Sequence, residues 1–458
     1  MLFQTQFYIL VFLPAIAALY YSVAGSLVAR QWVLITASLV FYGWWDARFI
    51  ILPVAQITIT WFLALLHQHR KHRWPLLLGV VLNLCSLGTF KYLDFALASL
   101  ESVSGIELPR AHLILPIGIS FFSFQLISYL IDRLRGDVPI YPFRPFALFV
   151  LLYPHLIAGP IVRHNELVPQ LALDPRRKGL WQRIGAGLAI FVMGLTKKIL
   201  LADALAKVVD PLFAKAVTGT LTFTESWCAA LSFSFQLFLD FSAYTEMAIG
   251  SALIFGLILP ENFRRPYLAQ NLREFWSRWH ITLSYFLRDY LYIPLGGNRN
   301  GVAIYVFATL VTMGLCGLWH GAGWTFVFWG LWHGVGLIVC HGWQSIKRPL
   351  PPVVGWAVTM IFVLIGWVFF RAHSFESAAS ILISMASFAQ PWPAINISEI
   401  ILIAIAAIAC VGMPSAHELK DRCLAPRPLL AAAMAILATI CMVEVGAGVP
   451  AAFIYFQF

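Results

Sequence analysis

Long apolar stretches recur along almost the whole chain, and they limit the possible folds more than any other feature. A membrane-spanning helix needs about 20 mostly apolar residues, because lipid offers no hydrogen bonds to an exposed backbone. The stretches run approximately over 7–24, 31–45, 49–66, 75–90, 113–131, 145–161, 182–202, 226–240, 244–260, 302–318, 324–342, 353–370, 398–413 and 428–446. Only 11% of the 458 residues are charged, too few to cover a soluble protein of this size. The sequence therefore predicts an all-α polytopic membrane protein.

The lengths and flanks of these stretches predict the number and orientation of the helices. Several are shorter than a straight crossing requires, so we expect roughly 10–14 membrane-embedded helices within one transmembrane domain over residues 1–458. Basic residues follow the first, third and fifth stretches, for example Arg30, Arg70 and Arg133. Because Lys and Arg are enriched in cytoplasmic loops, we expect the N-terminus on the periplasmic side. The same loops explain the net charge of +10 without nucleic acid as a partner.

Residues 261–301 interrupt the apolar pattern with alternating arginines and aromatic residues. Four aromatic residues fall close to one helix face: Phe275, Trp279, Phe286 and Tyr290. Rings at headgroup level beside arginines that extend into water are typical of a helix lying in a membrane interface. We therefore predict a cytoplasmic-interface amphipathic segment over about 261–301.

His320 is the strongest candidate for a catalytic residue. It follows the apolar run 302–319 and precedes Gly321 and Gly323. Ionisable groups at membrane depth are costly, so each is a functional candidate by default. A neutral imidazole takes a proton from a hydroxyl group and returns it, as acyl transfer to an alcohol requires. From the residues alone, a structural histidine bonded to a neighbouring helix remains the alternative.

Other polar residues in apolar runs favour structural interpretations. His333 lies thirteen residues after His320 and does not share its helix face, so we expect a structural or interfacial group and no shared metal site. Asp240 and Glu246 should face the protein interior, because they would be costly in lipid. The Lys197–Lys198 pair is expected to extend to an interface or to pair with such acids. The seven cysteines form no C-x-x-C pair, so no metal site is predicted.

His280 is flanked by Trp276, Arg278 and Trp279, and two interpretations remain open. The histidine either orients an acyl donor or is an interfacial histidine beside an aromatic belt. Likewise, the arginines either hold the phosphates of a coenzyme or bind lipid headgroups. We treat Trp276, Arg278 and Trp279 as candidate donor-binding residues and expect no permanently bound cofactor.

Six longer sequence blocks stand out: L-I-A-G-P-I-V-R at 156–163, L-D-F-S-A-Y-T-E-M-A-I-G at 239–250, P-E-N-F-R-R-P-Y at 260–267, F-W-S-R-W-H-I-T-L-S at 275–284, L-R-D-Y-L-Y-I-P-L-G-G-N-R at 287–299 and L-W-H-G-A-G-W-T-F-V-F-W-G at 318–330. Together they resemble the membrane-bound O-acyltransferase (MBOAT) family, and within it the bacterial alginate-type O-acetyltransferase membrane subunits. The resemblance covers almost the whole chain. Two departures from the branch, Ala243 in place of Gly and Glu246 in place of Asp, leave the histidine blocks intact.

The resemblance implies a fold and a reaction. In the family, helices surround a central pore or tunnel, and the histidine of the L-W-H-G block is catalytic, which corresponds to His320. The histidine of the W-H-I-T-L-S block lies near the tunnel and corresponds to His280. In the polysaccharide branch the acyl donor is acetyl-CoA, and a periplasmic O-acetyltransferase partner carries the acetyl group to the polymer.

We therefore expect a membrane O-acetyltransferase subunit in the bacterial inner membrane. It would pass acetyl groups from cytoplasmic acetyl-CoA across the membrane for O-acetylation of an exported polysaccharide, such as alginate or cellulose. One alternative is a D-alanyl or lipid O-acyltransferase of the same family. Another is an ion-coupled transporter or flippase, in which Asp240 and Glu246 would form the coupling relay.

Overall fold

A computed structural model describes residues 1–136, 138–387, 396–423, 428–448 and 453–454, and no β-strand occurs among them. The main helices are α1 (Tyr8–Ser22), α2 (Leu27–Gly43), α3 (Ala47–Arg70), α4 (Trp74–Ser104), α5 (Ile119–Arg135), α6 (Phe143–Leu151), α7 (Leu180–Thr218), α8 (Phe223–Ile254), α9 (Leu272–Arg278), α10 (Ile281–Leu287), α11 (Val302–His320), α12 (Trp324–Ser345), α13 (Pro352–Arg371), α14 (Phe375–Ala386), α15 (Ile397–Gly412), α16 (Ala416–Arg422) and α17 (Pro428–Ala447).

Eight of these helices are long and apolar enough to cross a membrane, counted within the described ranges: α3, α4, α7, α8, α11, α12, α13 and α17. The helices α15 and α16 form a ninth candidate, bent by 68° at the short break between them. Three shorter apolar helices, α1, α2 and α14, accompany them. The prediction of an all-α polytopic membrane protein is confirmed.

The chain divides into two compact units. The first comprises Met1–Met193, Tyr244–Pro260 and Leu419–Ile436, and the second comprises Gly194–Ala243, Glu261–Glu418 and Leu437–Phe458. All of the predicted site residues belong to the second unit. The interpretation of residues 1–458 as one transmembrane domain around a pore stays a prediction.

Aromatic side chains form the core of the first unit. The ring of Phe3 lies 5.1 Å from Tyr8 and 5.3 Å from Phe41, and the ring of Phe41 lies 5.1 Å from Tyr153. The Tyr8 hydroxyl is 2.8 Å from the Ser251 hydroxyl. This hydrogen bond satisfies a polar group that would otherwise be costly to bury.

The helix α8 corrects one prediction from the sequence. The stretches 226–240 and 244–260 were predicted as separate segments, but a single helix covers Phe223–Ile254. Its whole apolar window is buried inside the protein. Polar residues there need not face lipid, so they do not end the helix. Asp240 and Glu246 are both buried, which confirms that these carboxylates face the protein interior.

The predicted helix face within 261–301 was also wrong. Two short helices, α9 and α10, replace one continuous helix. The helical conformation is interrupted between them at His280, which has a left-handed φ of 42°. The Ile281 backbone N–H donates to Asn262 O at 2.9 Å, so the segment before α9 is hydrogen-bonded to the backbone next to His280. Phe275 and Trp279 are fully buried and lie within the protein core. The cytoplasmic position of the segment remains a prediction.

Candidate active site

A tight helical hairpin positions His320. It is the last residue of α11, and α12 begins four residues later at Trp324. The two helices touch backbone to backbone at two glycines. A Cβ atom on Gly317 would lie 2.1 Å from Phe326 O, and one on Gly330 would lie 2.1 Å from Met313 O. Only glycine permits this approach, so the sequence of the hairpin fixes where His320 stands.

Aromatic rings surround the His320 imidazole, which is only 3% exposed. Its ring centroid lies 4.9 Å from that of Trp319, 5.0 Å from Trp329 and 5.3 Å from Phe370. These rings come from α11, α12 and α13. The candidate base therefore lies in an apolar pocket from which the surrounding side chains exclude bulk water.

The hydrogen bonds of His280 fix its tautomer. Its Nδ1 lies 3.0 Å from Asn262 Oδ1, which also accepts hydrogen bonds from the Thr282 backbone N–H at 3.2 Å and the Thr282 hydroxyl at 2.9 Å. A backbone N–H can only donate, so the Asn262 atom is the acceptor oxygen. His280 Nδ1 must then carry the proton, which leaves a lone pair on Nε2.

His280 is suited to accept a hydrogen bond at Nε2. The side chain is completely buried, and burial lowers the pKa of His280 to about 3. The ring is therefore neutral at physiological pH. Its Nε2 atom has no hydrogen-bond partner within the residues that the structure covers.

The structure brings the two predicted histidines to one indole ring. The Trp319 ring lies 6.0 Å from His280 and 4.9 Å from His320. The two residues are forty positions apart in the chain, so the folding of residues 261–301 against α11 creates this arrangement. Both buried imidazoles thus contact the same buried indole ring.

The profile described as "MBOAT, membrane-bound O-acyltransferase family" matches residues 32–379, a range that contains both histidines. The chain belongs to this family. It is 40% identical over 423 residues to the peptidoglycan O-acetyltransferase of Helicobacter pylori, covering 84% of this chain and 80% of the relative. It is also 40% identical over 403 residues to the probable alginate O-acetylase AlgI of Pseudomonas aeruginosa, covering 85% and 75%.

A more distant similarity extends to a different transferred group. The teichoic acid D-alanyltransferase of Bacillus subtilis is 25% identical over 289 residues, which covers 58% of this chain and 71% of the relative. The chain is therefore an integral membrane acyltransferase, and an acyl donor and an acceptor are its substrates.

The three candidate donor-binding residues of this acyltransferase have different environments. The Trp276 indole N–H donates to His333 Nδ1 at 3.3 Å. Trp279 is buried, and its ring lies 4.9 Å from the ring of Trp367. Arg278 pairs with Glu274 at 2.5 Å and keeps 30% of its side chain exposed. Of the three, only Arg278 presents charge near the surface, and their role in donor binding stays a prediction.

His333 was predicted to be a structural or interfacial group, and the sequence did not reveal its contacts with the aromatic residues around His320. It is completely buried, and its ring lies 4.8 Å from Trp329. The signal was present in the sequence, because L-W-H-G occurs at 318–321 and again at 331–334. The repeat of this tetrapeptide in the next helix could have marked this histidine for attention.

Lys198 forms a buried ionic cluster in the same unit. Its Nζ lies 2.8 Å from both Asp203 Oδ1 and Asp240 Oδ1. The second oxygen of Asp240 accepts a hydrogen bond from the Ile454 backbone at 2.7 Å. The expected pairing of this lysine with a buried acid is confirmed. Among the described residues, no group of three or more His, Cys, Asp or Glu is arranged to hold a metal ion.

Proposed function

We propose that this chain is a membrane O-acetyltransferase subunit for an exported polysaccharide. It takes the acetyl group from cytoplasmic acetyl-CoA and passes it across the bacterial inner membrane, where a periplasmic O-acetyltransferase partner completes the transfer. The observation that carries the proposal is the pair of buried imidazoles, His320 and His280, which both contact the Trp319 ring. The names of the two relatives at 40% identity support acetyl as the group and a polysaccharide as the acceptor.

The chemistry requires one base and one positioning group. His320 takes the proton of the acceptor hydroxyl as the hydroxyl oxygen attacks the thioester carbon. The tetrahedral intermediate then collapses, the C–S bond breaks, and the proton on His320 passes to the departing sulfur. An O-acetyl ester and the CoA thiol are the products. His320 takes the only proton of the reacting hydroxyl, so the lone pair on His280 Nε2 accepts a hydrogen bond from another donor group of the bound substrate and thereby orients it.

The aromatic pocket serves the same reaction by excluding water. A thioester exposed to solvent beside a base would be hydrolysed, so fewer acetyl groups would be transferred to the polymer. Since His320 is 3% exposed and His280 is fully buried, only an acceptor that enters the pocket meets the activated donor.

The test is transfer of label from radiolabelled acetyl-CoA by purified protein with its partner and polymer, comparing wild type with His320→Ala. Loss of a general base lowers the rate by about 100- to 10,000-fold. His341→Ala is the matched control, because His341 is exposed and should leave the rate unchanged. Full activity in His320→Ala would refute the assignment.

The more distant D-alanyltransferase relative favours one second candidate, transfer of a D-alanyl group by the same pocket. Mass spectrometry of the modified acceptor separates the two, because acetyl and D-alanyl esters differ in mass and charge. A D-alanyl product would replace the acetyl proposal and keep the role of His320.

A further inference from the structure

Two buried N–H groups on α12, those of Trp329 and His333, have no acceptor within the described part of the chain. Because the Trp276 indole donates to His333 Nδ1 at 3.3 Å, that nitrogen holds a lone pair, and the neutral ring carries its proton on Nε2. His333 Nε2 has no hydrogen-bond partner there, and neither does Trp329 Nε1. Both side chains are fully buried. Native proteins rarely leave such donors without an acceptor.

Both side chains that carry these donors lie against one glycine of α13. A Cβ atom on Gly366 would lie 3.2 Å from His333 Nε2 and 3.4 Å from Trp329 Cδ1, the carbon bonded to the indole nitrogen. The Trp329 ring is 4.8 Å from His333 and 5.0 Å from His320. The rings of His333 and of the proposed base His320 thus both contact the Trp329 indole, which carries the second donor.

Acyl transfer from a thioester creates a need for such donors. When the acceptor oxygen attacks, the carbonyl oxygen becomes an oxyanion. Preoriented N–H groups in a site without water stabilise that charge strongly, since they need no reorganisation. A carbonyl oxygen would also supply the acceptor that both buried donors lack.

We propose that Trp329 Nε1–H and His333 Nε2–H bind the carbonyl oxygen of the acyl donor and act as its oxyanion hole. The inference rests on the proposed function, because it requires an acyl donor with a reactive carbonyl beside His320. Trp276 is then a positioning residue, since its indole fixes the His333 tautomer that donates from Nε2.

The kinetic test is Trp329→Phe, which keeps an aromatic ring and removes the N–H. An oxyanion-hole donor acts mainly in the transition state, so kcat should fall about 100-fold, whereas KM should rise by no more than the roughly fivefold effect of one lost ground-state hydrogen bond. Trp343→Phe is the control, because this indole is exposed and donates to Arg348 O at 2.9 Å; its kcat should match wild type. His333→Gln, which places an amide N–H near Nε2, should retain more activity than His333→Leu.

A binding test isolates the carbonyl from packing effects. The probes are an acetyl-CoA analogue with an amide in place of the thioester, and S-ethyl-CoA, which lacks the carbonyl. Trp329→Phe should weaken the amide analogue roughly fivefold, the effect of one lost hydrogen bond, and leave S-ethyl-CoA unchanged.

The outcomes separate this inference from the proposed function. Wild-type kcat in Trp329→Phe, or equal weakening of both probes, overturns the oxyanion hole and leaves acetyl transfer standing. If wild-type protein binds neither probe and transfers no label, acetyl-CoA is not the donor, and both proposals fall.

Discussion

Gly317→Ala tests how strongly the position of His320 depends on the α11–α12 hairpin. An alanine Cβ at this position would lie 2.1 Å from Phe326 O and 3.0 Å from Gly330 N. Both are backbone atoms, so no side-chain rotation relieves the overlap. To restore an ordinary contact of 3.4 Å or more, the helices must separate by roughly 1 Å, because packed interiors have little free space.

That separation should act on both rate and stability. His320 is three residues from Gly317 on the same helix, so it moves with the backbone. A misplacement of about 1 Å costs roughly 100-fold in rate, and overpacking costs about 1–3 kcal/mol in the free energy of unfolding. We expect kcat for acetyl transfer to fall about 100-fold, measured below the unfolding temperature of each variant.

A second glycine substitution in the same hairpin serves as the control. Gly342→Ala makes the same change in α12, but its Cβ would meet nothing within 4 Å, so rate and stability should not decrease. Wild-type kcat and unfolding temperature in Gly317→Ala would show that the hairpin relaxes without moving the histidine. The link from glycine packing to catalysis would then be wrong.

Two further predictions concern polar partners. Burial lowers the pKa of His280 to about 3, so the ring stays neutral from pH 5 to 8. Asn262→Asp adds a negative charge beside Nδ1, which raises this pKa. Protonation of His280 at lower pH would then remove the lone pair on Nε2, so kcat should fall as the pH decreases towards 5. A pH–rate profile like that of wild type would contradict this prediction. Lys198→Met removes the lysine from buried Asp240 and should lower the free energy of unfolding by about 3 kcal/mol. Thermal unfolding in detergent measures this loss. The control is Lys215→Met, because Lys215 is half exposed and its ion pair should contribute less than about 1 kcal/mol. Equal losses of stability in the two variants would refute the prediction that the buried ion pair contributes more.

Local sequence patterns predicted the all-α membrane fold and singled out the two candidate histidines. Apolar runs predict spanning helices because transfer of each side chain into lipid contributes independently of its neighbours in the fold. The apolar run before His320 and the rarity of ionisable groups at that depth marked it as a candidate without any knowledge of its contacts. His280 was recognised through the motif that contains it.

Patterns were misleading where the partners of a polar or aromatic residue decide whether a helix ends or where it lies. The periodic rings of Phe275 and Trp279 suggested an interface helix, yet both are buried in the protein. The apolar stretch 226–240 was expected to end at Asp240, yet the helix continues to Ile254, and Lys198 pairs with Asp240 inside the second unit. Burial by protein and burial by lipid produce the same hydrophobic pattern, so sequence periodicity does not separate them.

The sequence by itself determined the helical membrane fold, the family and the candidate base. Only the tertiary structure decided which nitrogen of each neighbouring histidine carries the proton. His280 depends on Asn262, eighteen residues away, and His333 depends on Trp276, fifty-seven residues away. Hydrophobicity belongs to each residue alone, whereas a hydrogen bond requires two groups at a defined distance and angle. Which ring nitrogen of each histidine donates and which accepts therefore depends on how the helices pack.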